Sequence, residues 1–440
     1  MKSGYFVLAC AFAATAIAQV GDYLGPGVLS RGAGNIGTRA GQPVDLKFFA
    51  NVSGVYDTGL SPVSLDSKGD LVQINGVYGV ETAIGAYGVH SWRHSTLGLD
   101  YKGSFYHYAD NSYLDGTDQM LALGYTYQKS RRLTFDLRQL AGTLSKGINS
   151  VSGAAPVPVD FVNQPTTMLF DNRSSYLQST ADVSYMLSPR TIFTAGGDGY
   201  AVYRQSRALA GVNGYNLRGA IERRLSRKTS IGAEYQHTHF DFPRAFGEST
   251  INMFEGMYST MLGRHWTFSL HGGVFQVQVE GLQRVSLDPV VAALLGQTSG
   301  VQTFYRTSLY PSGEAHLSRR FKSSTFGLLY IRTVSSGNGV YLTSRSESGG
   351  GTYSYSGIRK LNLSLDAGYN TLGGIGQGIQ PYRQVRGGTG LTYAIAKGLH
   401  FTTRYDARHQ EIDLAGFRRT GYRATIGLAY SPGDVPLSLW

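Results

Sequence analysis

Cysteine is nearly absent from this chain: Cys10 is the only one in 440 residues. Downstream of it there is nothing from which to build a disulfide, a thiolate zinc site or a cysteine nucleophile. No run of 18 apolar residues follows the N-terminal stretch, so no helix is expected to cross a bilayer. If the chain enters a membrane it must do so as a closed barrel, because open sheet edges cannot be satisfied in lipid. The net charge of +11 comes without a basic helix, an RNA-binding signature or finger spacing, and much of it sits in turns, so nucleic acid is not expected as a partner. Gly32-Ala33-Gly34-Asn35-Ile36-Gly37 lacks the Lys-Ser or Lys-Thr that a phosphate-binding loop needs. Trp (3) and Pro (13) are scarce, whereas Gly (58) and Tyr (30) are abundant, a balance that fits barrels and also glycine-rich solenoids.

The first residues pair Lys2 with an apolar stretch from Tyr5 to Ala14 and end in Ala16-Ile17-Ala18, a small-x-small cleavage site. A signal peptide over 1–18 is therefore expected; Val7-Leu8-Ala9-Cys10 offers a competing lipobox-like cut. Residues 19–43 lack periodicity and read as a flexible periplasmic arm, too short for a plug domain.

The strongest pattern is a basic tight turn that recurs. It stands at Trp92-Arg93-His94, Ser130-Arg131-Arg132, Ser188-Pro189-Arg190, Ser226-Arg227-Lys228, Gly263-Arg264-His265, Ser318-Arg319-Arg320, Ile358-Arg359-Lys360 and Ala396-Lys397-Gly398. Most intervals are about 38 residues, or two strands of about 12 to 15 residues and a loop at ~3.4 Å per residue. Four residues past each turn centre come Leu97, Phe135, Phe193, Ile231, Phe268, Ser323, Leu363 and Phe401, and one residue later a small or polar residue follows every time. Successive strand side chains point to opposite faces, so each strand has one greasy and one wet side. Tyr127, Tyr185, Tyr355 and Tyr393 recur four residues before a turn centre, as an interfacial girdle would.

Eight tight turns, with one strand before the first hairpin loop and one after the last, predict 18 strands from about residue 44 to 430, with 16 as the alternative because patterning weakens at 71–90 and 335–357. Two wider intervals predict long loops at about 144–174 and 281–300. The second contains Asp288-Pro289 and ends at Gly296, the start and stop of a short helix that would fold inward and narrow the lumen or lie over the rim. Residues 335–351 read as a surface loop and 431–440 as a periplasmic tail.

These hairpins, the alternation and the aromatic C-terminal residue Trp440 resemble bacterial outer-membrane β-barrel proteins of the porin-like kind, although Pro436 interrupts the last stretch. The resemblance implies an all-β, antiparallel up-and-down transmembrane barrel with short periplasmic turns and longer extracellular loops, placed in the bacterial outer membrane. It implies as partners outer-membrane lipid and lipopolysaccharide, the barrel-assembly machinery and small polar solutes, and leaves a homo-oligomer open.

Seven residues past a turn centre, on the polar face, stand Asp100, Arg138, Gly196, Glu234, His271, Phe326, Asp366 and Arg404. A charge at that height is tolerated only if it points inward to water. The expected pore lining is therefore Asp100, Arg138, Asp182, Arg218, Glu234, His271, Asp366, Arg404 and Arg423, with Lys102, Glu222 and Asp406 nearby. Both signs are present, which suits orientation of dipolar solutes rather than strong selectivity; cross-strand pairing that stiffens the wall is the competing reading. No catalytic residues, metal ligands or cofactor site are read from the sequence; His237-Thr238-His239 fits a girdle or loop-base role better than a metal site. The expected function is passive diffusion of small hydrophilic solutes. The alternatives are a non-conducting surface barrel whose loops bind polysaccharide or protein, and a soluble propeller.

Overall fold

A strand that is apolar on one side and polar on the other must meet two different solvents, and a sheet closed on itself supplies both. The structure, a computed structural model, describes residues 47–59, 63–65, 71–73, 76–109, 114–145, 173–263, 265–286, 288, 290, 296–337, 339–376, 381–412 and 417–430. The expected signal peptide, N-terminal arm and C-terminal tail lie outside the described residues.

The wall begins with β1 (Lys47–Asp57); β2 (Val63–Leu65) and β3 (Leu71–Gln73) pair only with each other in the connection that follows. It continues through β4 (Val77–Ser91), β5 (Ser95–Tyr108), β6 (Gly116–Gln128), β7 (Leu133–Leu144), β8 (Ser174–Ser188) and β9 (Thr191–Arg204). Next come β10 (Val212–Arg224), β11 (Thr229–Asp241), β12 (Gly247–Leu262), β13 (Trp266–Ser286), β14 (Ser299–Arg320) and β15 (Ser324–Ser335). β16 (Ser344–Tyr355), β17 (Leu361–Gly374), β18 (Tyr382–Ala396), β19 (Leu399–Ile412) and β20 (Phe417–Tyr430) complete the circuit. β1 closes it: Val52 stands opposite Thr82 of β4 on one side and Leu428 of β20 on the other. The result is one closed 18-stranded antiparallel sheet, which excludes both the 16-strand alternative and the separate blades of a propeller.

Seven tight turns fall where the basic motifs place them. The eighth does not: Ser318, Arg319 and Arg320 still pair with Gly327, Phe326 and Thr325, and the turn is 321–323. Counting from Lys322 puts Phe326 four residues on, against Trp266 on the outer face, and removes the one exception to the apolar rule. Phe326 is therefore not on the polar face to which the uncorrected spacing assigned it.

The long connections also need correction. Strands β13 and β14 extend into 281–300 and leave 287–298 as the connection, because Gly281 to Ser286 remain paired with Phe304 to Ser299. Of the helix expected there, Asp288 Oδ1 accepts a hydrogen bond from Val290 N at 2.9 Å and Val290 is 68% exposed; residues 291–295 lie outside the described residues. Residues 344–351 belong to β16, and the chain just before them is buried inside the barrel rather than lying on its surface. The loop expected at 144–174 begins and ends where β7 stops and β8 starts, but residues 146–172 lie outside the described residues.

The outer face carries exposed Val52, Leu97, Leu137, Leu177, Leu217, Phe254, Leu270, Leu365, Tyr405 and Ile426. Tyr127, Tyr185 and Tyr393 stand exposed beside the tight turns, and Arg319 lies over Trp266 and Phe321 at the same end, 4.8 Å and 4.2 Å from their ring centroids. Rings and cations at one height mark the boundary between hydrocarbon and headgroups. The core sits inside. Met120, Leu140, Tyr176, Val202, Phe240, Phe275 and Val277 from the inner faces of β6 to β13 pack with Val334 and Ile375, which stand where β15 and β17 give way to their loops.

Candidate channel lumen

The inner face is set by register. Asp100, Arg138, Asp182, Arg218, Glu234, His271, Asp366, Arg404 and Arg423 each have the strand parity opposite to the exposed apolar residues of their own strand. They do not form a simple ring of free charges.

Three arginines reach over an inward-facing glycine to an acid two strands away. Arg218 on β10 and Asp182 on β8 both stand opposite Gly196 of β9, and Arg218 Nη2 meets both carboxylate oxygens at 2.6 Å. A side chain at Gly196 would collide with Asp182: its Cβ would stand 2.0 Å from Oδ1. Asp198 lies 3.9 Å from Arg218 and accepts from Asn216 and Gln178. Arg404 on β19 crosses Gly388 and Gly390 of β18 to Asp366 at 2.8 Å and also holds Asp406 at 2.5 Å. Arg408 crosses Gly421 of β20 to Asp57 at 3.0 Å, and Asp57 is fully buried. Arg423 reaches past β1 to Glu81 of β4 at 2.5 Å. Planar guanidinium forks suit this, since they bind carboxylates through two parallel hydrogen bonds.

The remaining expected residues make no such arginine–carboxylate pair among the described residues. Asp100 is 2% exposed, and among the described residues neither carboxylate oxygen has a hydrogen-bond partner. Arg138, half-buried, makes no ion pair among the described residues, although it has the same offset from Asp100, two strands and two residues, that Arg404 has from Asp366. Glu234 stands opposite Glu255, and His271 opposite Glu314. With His316 of β14, the wall of β11 to β14 therefore carries the carboxylates Glu234, Glu255 and Glu314 and the imidazoles His271 and His316, while the wall of β18 to β20 carries Arg386, Arg404, Arg408, Arg419 and Arg423 with their acids. The two walls are separated by β15 to β17 on one side and by the eight strands from β1 to β10 on the other.

Sequence reasoning missed Asp57, Glu81, Glu255, Glu314 and Arg408. It took one residue per strand at a fixed distance from the turn, and the partners of those residues are decided by strand register. A legible signal was there for Arg408, which follows Arg404 and Asp406 at the two-residue spacing of one strand face. Away from the lumen, His237 and His239 flank Tyr215 on the outer face and bond Asn252 at 2.8 Å and Thr250 at 3.1 Å. Among the described residues no three His, Cys, Asp or Glu side chains gather as a metal site.

A closed sheet, an apolar outer band and short turns at one end are the architecture of a bacterial outer-membrane barrel. No family model matches the chain, and no curated protein matches it in sequence. Solved structures that the barrel resembles include OccK5 (OpdH) of Pseudomonas aeruginosa, at 13% identity and a TM-score of 0.41 over 88% of this chain and 99% of that one. They also include OccAB3 of Acinetobacter baumannii, at 10% identity and a TM-score of 0.40 over 88% of this chain and 99% of that one. The outer membrane protein OpdK of Pseudomonas aeruginosa is similar at 14% identity and a TM-score of 0.40, over 88% of this chain and 98% of that one.

Proposed function

We propose that the protein is a porin-like channel for passive diffusion of small hydrophilic solutes. The observation that carries this reading is the closed 18-stranded wall with charges of both signs on its inner face. A barrel of this strand number is too wide for its wall side chains to fill, so what narrows it must come from loops and from long charged side chains. The pore lining we assign is Asp100, Arg138, Asp182, Arg218, Glu234, His271, Asp366, Arg404 and Arg423. Acids on β11 to β14 and arginines on β18 to β20, on different stretches of one lumen wall, create an uneven field along the path, which turns dipolar solutes into line and lowers the cost of their lost hydration.

The test is planar-bilayer recording on folded, purified protein. Discrete conductance steps are expected; a silent bilayer from folded barrel refutes the channel. A second reading is favoured by one feature: above Gly313, β14 pairs with β13 alone, and Val301, Tyr305 and Leu309 are 66%, 76% and 68% exposed. An unpaired, nearly uncharged strand edge beyond the membrane is a template for a partner strand, as a non-conducting surface barrel would use.

A further inference from the structure

We propose that the outer face of β12 to β15 carries a site for one anionic membrane lipid, with its head on Arg332 and an acyl chain in a groove of glycines. The site lies on the opposite side of the wall from the lumen and stands whether or not the barrel conducts.

The groove is set by register. Gly256 on β12 stands opposite Gly272 on β13, Gly272 opposite Gly313 on β14, and Gly313 opposite Arg332 on β15. All four share the strand parity of exposed apolar neighbours, namely Phe254, Tyr258, Leu270, Val274, Leu309 and Leu328, so all four face the membrane. A Cβ on Gly272 would meet nothing within 4 Å, and one on Gly256 or Gly313 only a backbone oxygen at 3.8 Å. Three neighbouring strands therefore present bare backbone along one row, walled by Phe254 and Val274 on the side away from the tight turn and by Tyr258 and Leu270 on the side toward it. Glycine weakens a strand interior, and it marks places where something approaches the backbone closely. At about 4.8 Å per strand the row runs about 14 Å from Gly256 to Arg332. Arg332 is farther from its tight turn than Gly256 and Gly272 are from theirs, so the groove descends from the arginine toward the bilayer centre, as a lipid chain does below its head.

At the arginine end the wall is incomplete. The ladder between β14 and β15 stops at Gly313 opposite Arg332, and Pro311, the one proline in the described strands, stands just beyond the stop. Proline is tolerated at a strand edge because no donor is needed there. Two donors at this point lack acceptors among the described residues: Arg332 Nε on the outer side, and on the inner side the hydroxyl of Ser312, which is 8% exposed. Arg332 also makes no ion pair among the described residues, because Glu347, opposite it on β16, accepts a hydrogen bond from Tyr369 at 3.4 Å instead. A cation without a counter-ion on the lipid side of a barrel is costly, and the anionic heads of the surrounding membrane are the nearest source of one. A guanidinium fork bonds a phosphate through two parallel hydrogen bonds, so a phospholipid with net negative charge fits it.

The experiment is native mass spectrometry of the full chain, released from micelles that hold dioleoylphosphatidylglycerol and dioleoylphosphatidylcholine in equal amounts. One phosphatidylglycerol is expected to stay bound in preference to phosphatidylcholine. Arg332→Gln is expected to lower that preference about tenfold, the loss of one charge-assisted contact. Gly272→Leu, which fills the groove, is expected to lose the bound lipid, whereas Gly219→Leu, at an outward glycine of β10 with equal open space, leaves it in place. Heat-modifiability gels run on the same samples show that each variant is folded. Equal retention of the two lipids by the wild type overturns the site, as does a phosphatidylglycerol preference that survives both Arg332→Gln and Gly272→Leu in folded barrels.

Discussion

Arg404 and Arg138 stand on the inner face of the same barrel and should behave differently when truncated to alanine. Arg404 is 4% exposed at its side chain, is held between Asp366 and Asp406, and Asp366 is 8% exposed. Removing one member of a buried pair costs about 3–5 kcal/mol, because the remaining charge stays buried without its partner. Arg404→Ala strands two carboxylates, so its loss belongs at the upper end of that range. Arg138 is half-buried and unpaired, and its removal should cost less than about 1 kcal/mol. Selectivity should respond to both. A unit charge acting on an ion about 8 Å away is worth about 0.5–2 kcal/mol for an effective dielectric between 80 and 20. Cation and anion feel it with opposite sign, so each variant should raise the cation-to-anion permeability ratio by about 5- to 700-fold, at about 1.4 kcal/mol per factor of ten. The assays are urea unfolding of the barrel in detergent and reversal potentials in a salt gradient. An unchanged unfolding midpoint for Arg404→Ala, or an equal loss for Arg138→Ala, would refute the claim that the glycine-spanning ion pairs hold the wall.

Three further outcomes follow from the same geometry. Leu270 lies exposed on the outer face, so Leu270→Arg should cost about 2–4 kcal/mol and lower the temperature at which the folded band disappears in a heat-modifiability gel, whereas His271→Arg, facing inward, should leave that temperature nearly unchanged. Adjacent glycines on β13 should separate in the same way: a Cβ at Gly273 would stand 1.9 Å from the Phe254 oxygen, while Gly272 has open space, so Gly273→Ala should destabilise in urea and Gly272→Ala should not. Lys360, in a tight turn, has φ of 67°, and Lys360→Gly should stabilise by up to about 1 kcal/mol through release of that strain, read as a higher unfolding midpoint.

The turn spacing carried the barrel because a two-residue side-chain period and a fixed hairpin length leave few other ways to place the apolar face. It failed locally where composition imitated the turn. Ser318-Arg319-Arg320 looks like its seven counterparts, yet these residues are the end of β14, and only pairing with β15 distinguishes strand from turn. The serine and glycine run at 344–351 reads as a loop because few of its residues prefer strands, and a sheet with partners on both sides overrides that preference. The short helix expected within 281–300, folded inward or lying over the rim, lies largely outside the described residues, and the connection found buried inside the barrel is that between β15 and β16, which carries no such helix signal.

The sequence by itself determined that the chain makes antiparallel hairpins with one oily and one wet face, and that charges such as Asp100, Arg218 and Arg404 belong to the wet one, since both follow from local periodicity. Only the tertiary structure decided which of those charges meet. Arg218 finds Asp182, Arg404 finds Asp366 and Arg408 finds Asp57 across a glycine of the intervening strand, while Asp100 and Arg138, at an equivalent offset and with Gly124 opposite Arg138, stay apart. Register is a property of neighbouring strands and not of any one of them: a slip of one residue leaves every local pattern intact and turns each inner side chain outward.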